Sequence, residues 1–452
     1  MYFFTNNYEK EVSFMRVRKS KTILRLLRFS LIVLMISFLI APVMVSAEQL
    51  NFPLKAYTDD ELAKVREWEK TWAGKKIDQT NVDQVKEYLP ESYYGLYKKP
   101  DVWNEPKGFW FTITPYTRVI ETKGMIEATN RDYTKVKVDA QGIIQNYGET
   151  AGMPFPNPDL SDPAKAGQQL AWNFDYNTHG DAYHWLRTGP NVDVRSRTER
   201  ISRQDMYELY YVSRVDVDPK PNLLASNPKG IRRGYFIHLF MPPEFINTRM
   251  FNIRYLDYNK SDDGYMWYSQ FRRIRRISTA QRTDTIDGSD LIYDDEFLWD
   301  GAIPRNTYKY VGRKDLLCTR HQDIKQLQRV SGQPLPNGIA RERLNTYVIE
   351  VVSKDPNYIY KKMVWYVDPE TYYIQWKEIY DNLSRLWKCF ENWTQPNKEE
   401  ATGEMKSVIV GTEFMDFQRI HSGSSIQEVK GVGLTQVDQK MFTISNLQKG
   451  GY

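Results

Sequence analysis

The stretch from Met363 to Tyr380, MVWYVDPETYYIQWKEIY, constrains the fold of this chain more than any other. Two aromatic runs flank Asp368-Pro369-Glu370-Thr371. Proline presets φ for the first central position of a type I turn, and aspartate is favoured just before it, so the spacing predicts a β-hairpin. Folded about that turn, Val367 faces Tyr372, Trp365 faces Ile374 and Met363 faces Trp376. Side chains alternate along a strand, so these six share one large apolar face. Such a face lines either a core or a cavity, and the six are the candidate residues for binding a hydrophobic ligand.

Strand signals follow one another beyond residue 230: Tyr235–Met241, Met250–Tyr255, Tyr265–Ile277, Tyr347–Val352, Leu386–Trp393 and Ser407–Phe417. Short spacings between them predict an antiparallel meander that curls. Tyr235–Met241 is apolar at almost every position, whereas a sheet with one wet face would alternate. Helix signals lie earlier. Thr58-Asp59-Asp60-Glu61 is a capping box ahead of Leu62, Val65 and Trp68. Asn81–Leu89 reads as a short helix, and Ser161 or Asp162 caps a third that has Pro163 in its first turn. Arg195–Val217 fits helix or strand. Prolines from Asp218 to Gly230 mark a linker or a long crossover loop. The expected class is α+β, one large domain over 48–452 with a helix-containing part at 48–217 and a main β-meander at 231–420.

The N-terminus predicts export. Arg16, Arg18, Lys19, Lys21, Arg25 and Arg28 precede an apolar run from Phe29 to Ile40 and the small-residue site Val45-Ser46-Ala47. That is the pattern of a cleaved Sec signal peptide over residues 1–47, which implies a periplasmic protein. The apolar run is short for a spanning helix. The discarded segment holds seven Lys/Arg and two Asp/Glu, leaving 55 of each in the mature chain. With no net charge, general electrostatic attraction to nucleic acid or to anionic membrane is not expected. Cys318 and Cys389 are the two cysteines. In an oxidising compartment a disulfide between them would add about 4 kcal/mol; two buried free thiols are the alternative.

Chemistry-bearing motifs are sparse. No GxSxG elbow, HExxH pair, P-loop or dinucleotide-binding glycine fingerprint is present, and no cofactor is implied. His179, Asp181 and His184 form the one cluster of metal-ligand or hydrolase type, in a segment that reads as a loop. His421-Ser422-Gly423-Ser424-Ser425 reads as a polar turn. Asp284, Asp287, Asp290, Asp294 and Asp295 lie near Arg272, Arg273, Arg275, Arg276 and Arg282, where local ion pairing is the simplest expectation. Guanidinium groups also bind phosphate and carboxylate bidentately, so Arg272, Arg273, Arg275 and Arg276 are candidates for docking a head group or an acidic partner.

Three segments carry a resemblance. They are FRRIRRISTAQRTDTIDGSDLIYDDEF (Phe271 to Phe297), the hairpin with its continuation to Trp393, and GMPFPNP followed by AWNF (Gly152 to Phe174). Together they resemble the family called domain of unknown function 1329, which is similar in fold to the lipoprotein carriers LolA and LolB. The resemblance implies a strongly curved antiparallel sheet, an unclosed barrel, with helices across its concave face. It also implies a non-catalytic carrier for a lipid or other hydrophobic molecule, working with an envelope transporter or outer-membrane protein. The alternative is an envelope interaction protein whose sheet is simply a core.

Overall fold

The structure, a computed structural model, describes residues 52–449 apart from 178, 278–281 and 287. The signal-peptide segment and Asp287 lie outside the described residues. The first strands are β1 (Lys76–Ile77), β2 (Phe111–Ile113), β3 (Ala182–Asp193), β4 (Thr198–Tyr210), β5 (Ile231–Met241), β6 (Thr248–Tyr255), β7 (Asp263–Tyr268) and β8 (Arg273–Ile277). Then come β9 (Asn306–Cys318), β10 (Ile339–Ser353), β11 (Lys362–Val367), β12 (Ile374–Tyr380), β13 (Leu386–Lys398), β14 (Met405–Asp416) and β15 (His421–Val432). The helices are α1 (Asp59–Trp72), α2 (Glu91–Lys98), α3 (Lys123–Asp132), α4 (Pro163–Tyr176) and α5 (Ile444–Lys449).

All fifteen strands belong to one sheet, in the order β1-β2-β10-β11-β12-β13-β14-β15-β3-β4-β5-β6-β7-β8, with β9 also paired to β10. Every pairing is antiparallel except β2 with β10. The order ends on β1 and β8, so the sheet is unclosed. It is nonetheless strongly curved. Thr319, just past β9, bridges Trp393 of β13, and its hydroxyl donates to Glu391 at 2.6 Å. Strands β9 to β13 therefore curl around the face that carries Trp376, Arg341 and Glu391.

The expected α+β class with a curled meander holds, and several local expectations need correction. Tyr265–Ile277 is a hairpin, β7 and β8, turned at Arg272 with φ 48°. The serine-rich stretch after His421 is no turn; it lies in β15, between β14 and β3. Arg195–Val217 is mostly the strand β4, and the proline-rich loop after it joins β4 to its neighbour β5.

The opening hairpin forms, in another register. Tyr372 adopts φ 57°, and the loop closes through Asp368 N–H donating to the Tyr373 carbonyl at 2.9 Å. A bulge follows between Tyr366 and Val367, so Val367 pairs with Ile374, Tyr366 with Trp376 and Met363 with Ile379. One extra residue shifts all that follows to the opposite face. Met363, Trp365, Val367 and Ile374 thus share one face, and Trp376 lies on the other with Tyr366.

Both faces are covered, which explains the doubly apolar strands. On the concave face, Tyr93 of α2 meets Trp376 edge-on at 4.5 Å. On the other, Trp365 packs on Phe174 of α4, Trp299 and Tyr308. The helices start where their caps dictate. Thr58 and Glu61 make the reciprocal capping box of α1. Asp162 accepts from Ala164 and Lys165 N–H groups, with Pro163 at the first position of α4. Gly167 lets α4 approach β9, because a Cβ there would stand 2.7 Å from the Lys309 backbone nitrogen.

Buried charge ties the layers together. Arg320 is fully buried and pairs with Asp368 at 2.9 Å and Glu370 at 2.5 Å, both in the hairpin loop. Glu370 also accepts from Ala56 N–H (3.1 Å), Val119 N–H (3.0 Å) and the Tyr116 hydroxyl (2.5 Å). Elsewhere Arg233, Arg254 and Arg282 converge on Asp300. Against the burial that would raise it, they hold the Asp300 carboxyl well below the usual carboxylate range.

Two outcomes are expected from urea unfolding. Gly167→Ala lowers stability by about 1–3 kcal/mol through overpacking, although alanine is the better helix former. Arg320→Met costs about 3–5 kcal/mol, because it strands two buried carboxylates; an unchanged midpoint would show that the pair is not holding the loop.

Candidate functional site

Helix α2 crosses the concave face, and a cavity of about 600 Å³ lies between the two. Its apolar wall comes from separate segments: Leu96 of α2, Val102 and Trp103 just after it, Leu386 of β13 and Phe417 after β14. Trp103 meets Phe417 edge-on at 5.3 Å, closing one end. The hairpin supplies Tyr366, Glu378 and Tyr380. Glu378 is buried and accepts from Tyr366 (3.0 Å), Ser92 (3.3 Å) and Tyr380 (3.5 Å) hydroxyls, so the one carboxylate in the floor is fully occupied by donors. Burial and the Glu378 carboxylate push the Tyr366 phenol far up, which keeps it a neutral donor.

Lys99 and Lys314 also line this cavity, and Gly95 lies on its helical wall. A Cβ at Gly95 would meet nothing within 4 Å, and its φ is not positive. Neither close packing nor backbone conformation calls for glycine there. Glycine inside a helix costs roughly 1 kcal/mol against alanine; what it provides at this position is open volume. A second space of about 510 Å³, lined by Asp83, Lys86, Glu87 and Tyr94, shares Glu91 and Lys314 with the first. The larger, partly apolar cleft thus adjoins a shallower one richer in charged side chains.

The residues singled out from sequence are distributed otherwise. Met363, Trp365, Val367, Tyr372, Ile374 and Trp376 are all buried, packed among core side chains. The hairpin lines the α2 cavity with Tyr366, Glu378 and Tyr380, on the face that also carries Trp376. Cys318 and Cys389 are two free, buried thiols, the second of the two arrangements the sequence allowed. Strands β10 to β12 lie between theirs in the sheet. Thr319 does reach Trp393, but Cys389 is four residues, about 13 Å of strand, from that bridge, and a disulfide needs Cα atoms within about 7 Å.

His179, Asp181 and His184 do not converge. His179 stacks on Tyr373 and sits 3.4 Å from Glu208. Asp181 accepts the Val215, Asp216 and Val217 N–H groups, and His184 pairs with Asp205 at 2.6 Å. Among the described residues, no group of three or more His, Cys, Asp or Glu could hold a metal. Among the described residues, Asp295 pairs with Lys377, Asp290 with His421 and Asp294 with nearby Arg282. Arg273 and Arg275 point to one face of β8, with Arg275 over the Tyr268 ring, whereas Arg276 pairs with Asp263 on the other.

Sequence reasoning missed Leu96, Trp103 and Phe417, which only the fold brings together. It also missed Lys406, buried on β14 with its ammonium 3.8 Å from Glu121. Burial, opposed by Lys406 and reinforced by Asp216 and Asp368, raises the Glu121 carboxyl to about 7.

These features define a class: a curved, unclosed sheet with a helix across its concave face and a partly open cleft beside that helix. The family profile described as "Protein of unknown function (DUF1329)" matches residues 76–448, and the chain belongs to that family. It is similar to an uncharacterized Pseudomonas aeruginosa protein, PA3922, at 21% identity over 328 residues, 70% of this chain and 68% of that one. Among solved structures it is similar to a DUF1329 family protein from Desulfovibrio piger (16% identity, 64% of this chain and 100% of that one, TM-score 0.46). It is also similar to a Vibrio parahaemolyticus domain described as an outer membrane lipoprotein-sorting protein (15% identity, 63% and 100%, TM-score 0.43).

The Glu121 environment gives a pH signature. Its folded pKa is raised above the ordinary 4.5, so its contribution to stability is fully present below about 4.5 and is lost as pH rises through about 7. Glu121→Gln is expected to flatten the fall in unfolding midpoint across that window; an unaltered slope would place the titration elsewhere.

Proposed function

We propose that this protein is a non-catalytic carrier or receptor for a lipid or similar amphiphile, acting in the periplasm. The observation that carries this is the apolar cavity between α2 and the concave face, of about 600 Å³, within the range of about 300–1,000 Å³ typical of ligand sites. An acyl chain lies against Leu96, Val102, Trp103, Leu386 and Phe417, gaining about 0.8 kcal/mol per buried methylene. Its polar end lies toward Lys314 and Glu91, where the charged compartment begins. Release requires α2 to lift rather than any covalent step. The export pattern at the N-terminus supports the compartment, and an envelope transporter or outer-membrane protein is the natural donor or acceptor. The alternative reading, an interaction protein with no ligand cavity, leaves both this space and Gly95 without a purpose.

Gly95→Trp tests the assignment. The substituted indole projects into open volume, so the protein is expected to fold with unchanged circular dichroism. Native mass spectrometry of protein purified from its own envelope should show bound lipid in the wild type and none in the variant, with fluorescent fatty-acid uptake lost in parallel. Equal lipid content in both would remove the ligand from this cavity.

A further inference from the structure

One end of the sheet combines exposed apolar side chains with arginines. There the β5–β6 and β7–β8 turns lie side by side, joined by the Ser269 hydroxyl, which donates to the Ile246 carbonyl. Their tips carry Ile246, 50% exposed, and Phe271, 64% exposed. Large apolar groups held in water at two adjacent turn tips contribute nothing to the core. Arginines surround them. Arg272 and Arg273 follow Phe271 directly, and Arg203 of β4 pairs across to Met241 at the end of β5. All three are exposed and make no ion pair among the described residues. The nearby acid Glu244 is already paired with Arg200 at 2.8 Å.

We propose that this end of the sheet docks on an anionic lipid surface, Phe271 and Ile246 entering the headgroup layer and Arg203, Arg272 and Arg273 contacting lipid phosphates. The charge is complementary, and planar guanidinium groups bind phosphate bidentately. Apolar side chains flanked by cations are what an interfacial anchor needs. The geometry favours a surface over an added strand. The apolar groups project from turn tips, whereas a strand docking on β8 would run along Arg273–Ile277. This inference stands apart from the cavity, which lies under α2.

Vesicle co-sedimentation tests it. The protein without residues 1–47 is expected to bind phosphatidylcholine vesicles containing phosphatidylglycerol at low salt, and to bind pure phosphatidylcholine vesicles weakly. High salt should weaken binding. R272E/R273E should weaken it about tenfold or more, and I246D/F271D should reduce it at every salt concentration. All four positions are exposed, so unfolding midpoints should not move. Gly95→Trp should bind vesicles as the wild type does, which separates surface docking from lipid uptake. No preference for the anionic vesicles, or equal binding by both double variants, would overturn the proposal. So would self-association in solution abolished by I246D/F271D without any vesicle binding, which would make a second copy of the chain the occupant.

Discussion

The buried pairing of Arg320 with Asp368 and Glu370 is the constraint on which the rest depends. A guanidinium and two carboxylates with no access to water are tolerable only together, since each alone would cost several kcal/mol. Their meeting fixes the hairpin loop against the segment that follows β9. Glu370 uses its remaining lone pairs on Ala56, Tyr116 and Val119. The N-terminal segments are thereby fastened to the loop, and they bring α1 and α2 over the concave face. The helix beside the cavity is thus positioned by one arginine in the segment that follows β9.

Much of the architecture was legible because its signals are local. Thr58 and Asp162 start helices through hydrogen bonds to residues two or three positions on, and runs such as Tyr235–Met241 are strands wherever they lie. The curled α+β sheet followed from these runs and from the resemblance. The hairpin register was not legible. It turns on the left-handed Tyr372 and one bulge, which the loop adopts under the pull of Arg320. Strand β15 was misread for a related reason. His421-Ser422-Gly423-Ser424-Ser425 has the composition of a turn, and only its place between two long strands makes it a strand.

The candidate site was partly legible. The hairpin does contribute to the cavity, through Tyr366 of β11 and through Glu378 and Tyr380, which share the face of Trp376; the bulge puts the expected β11 residues Met363, Trp365 and Val367 on the opposite face. The rest of the wall is non-local: Leu96, Trp103 and Phe417 lie in segments that no spacing rule connects. Gly95 gave no signal, because only the formed α2 shows that neither a turn nor a close approach demands glycine there.

The position of β15 has a consequence for how the chain folds. Strands β3 to β8 form one meander and β10 to β14 another, each paired mainly between sequence neighbours, so each can assemble early. Among the described residues they are joined in the sheet through β15, which follows both meanders in sequence. Until residues 421–432 are in place, β3 and β14 present bare edges, which is the state most exposed to misassembly. Strand β15 closes both edges at once, so the joining of the two halves waits for the C-terminal part of the chain.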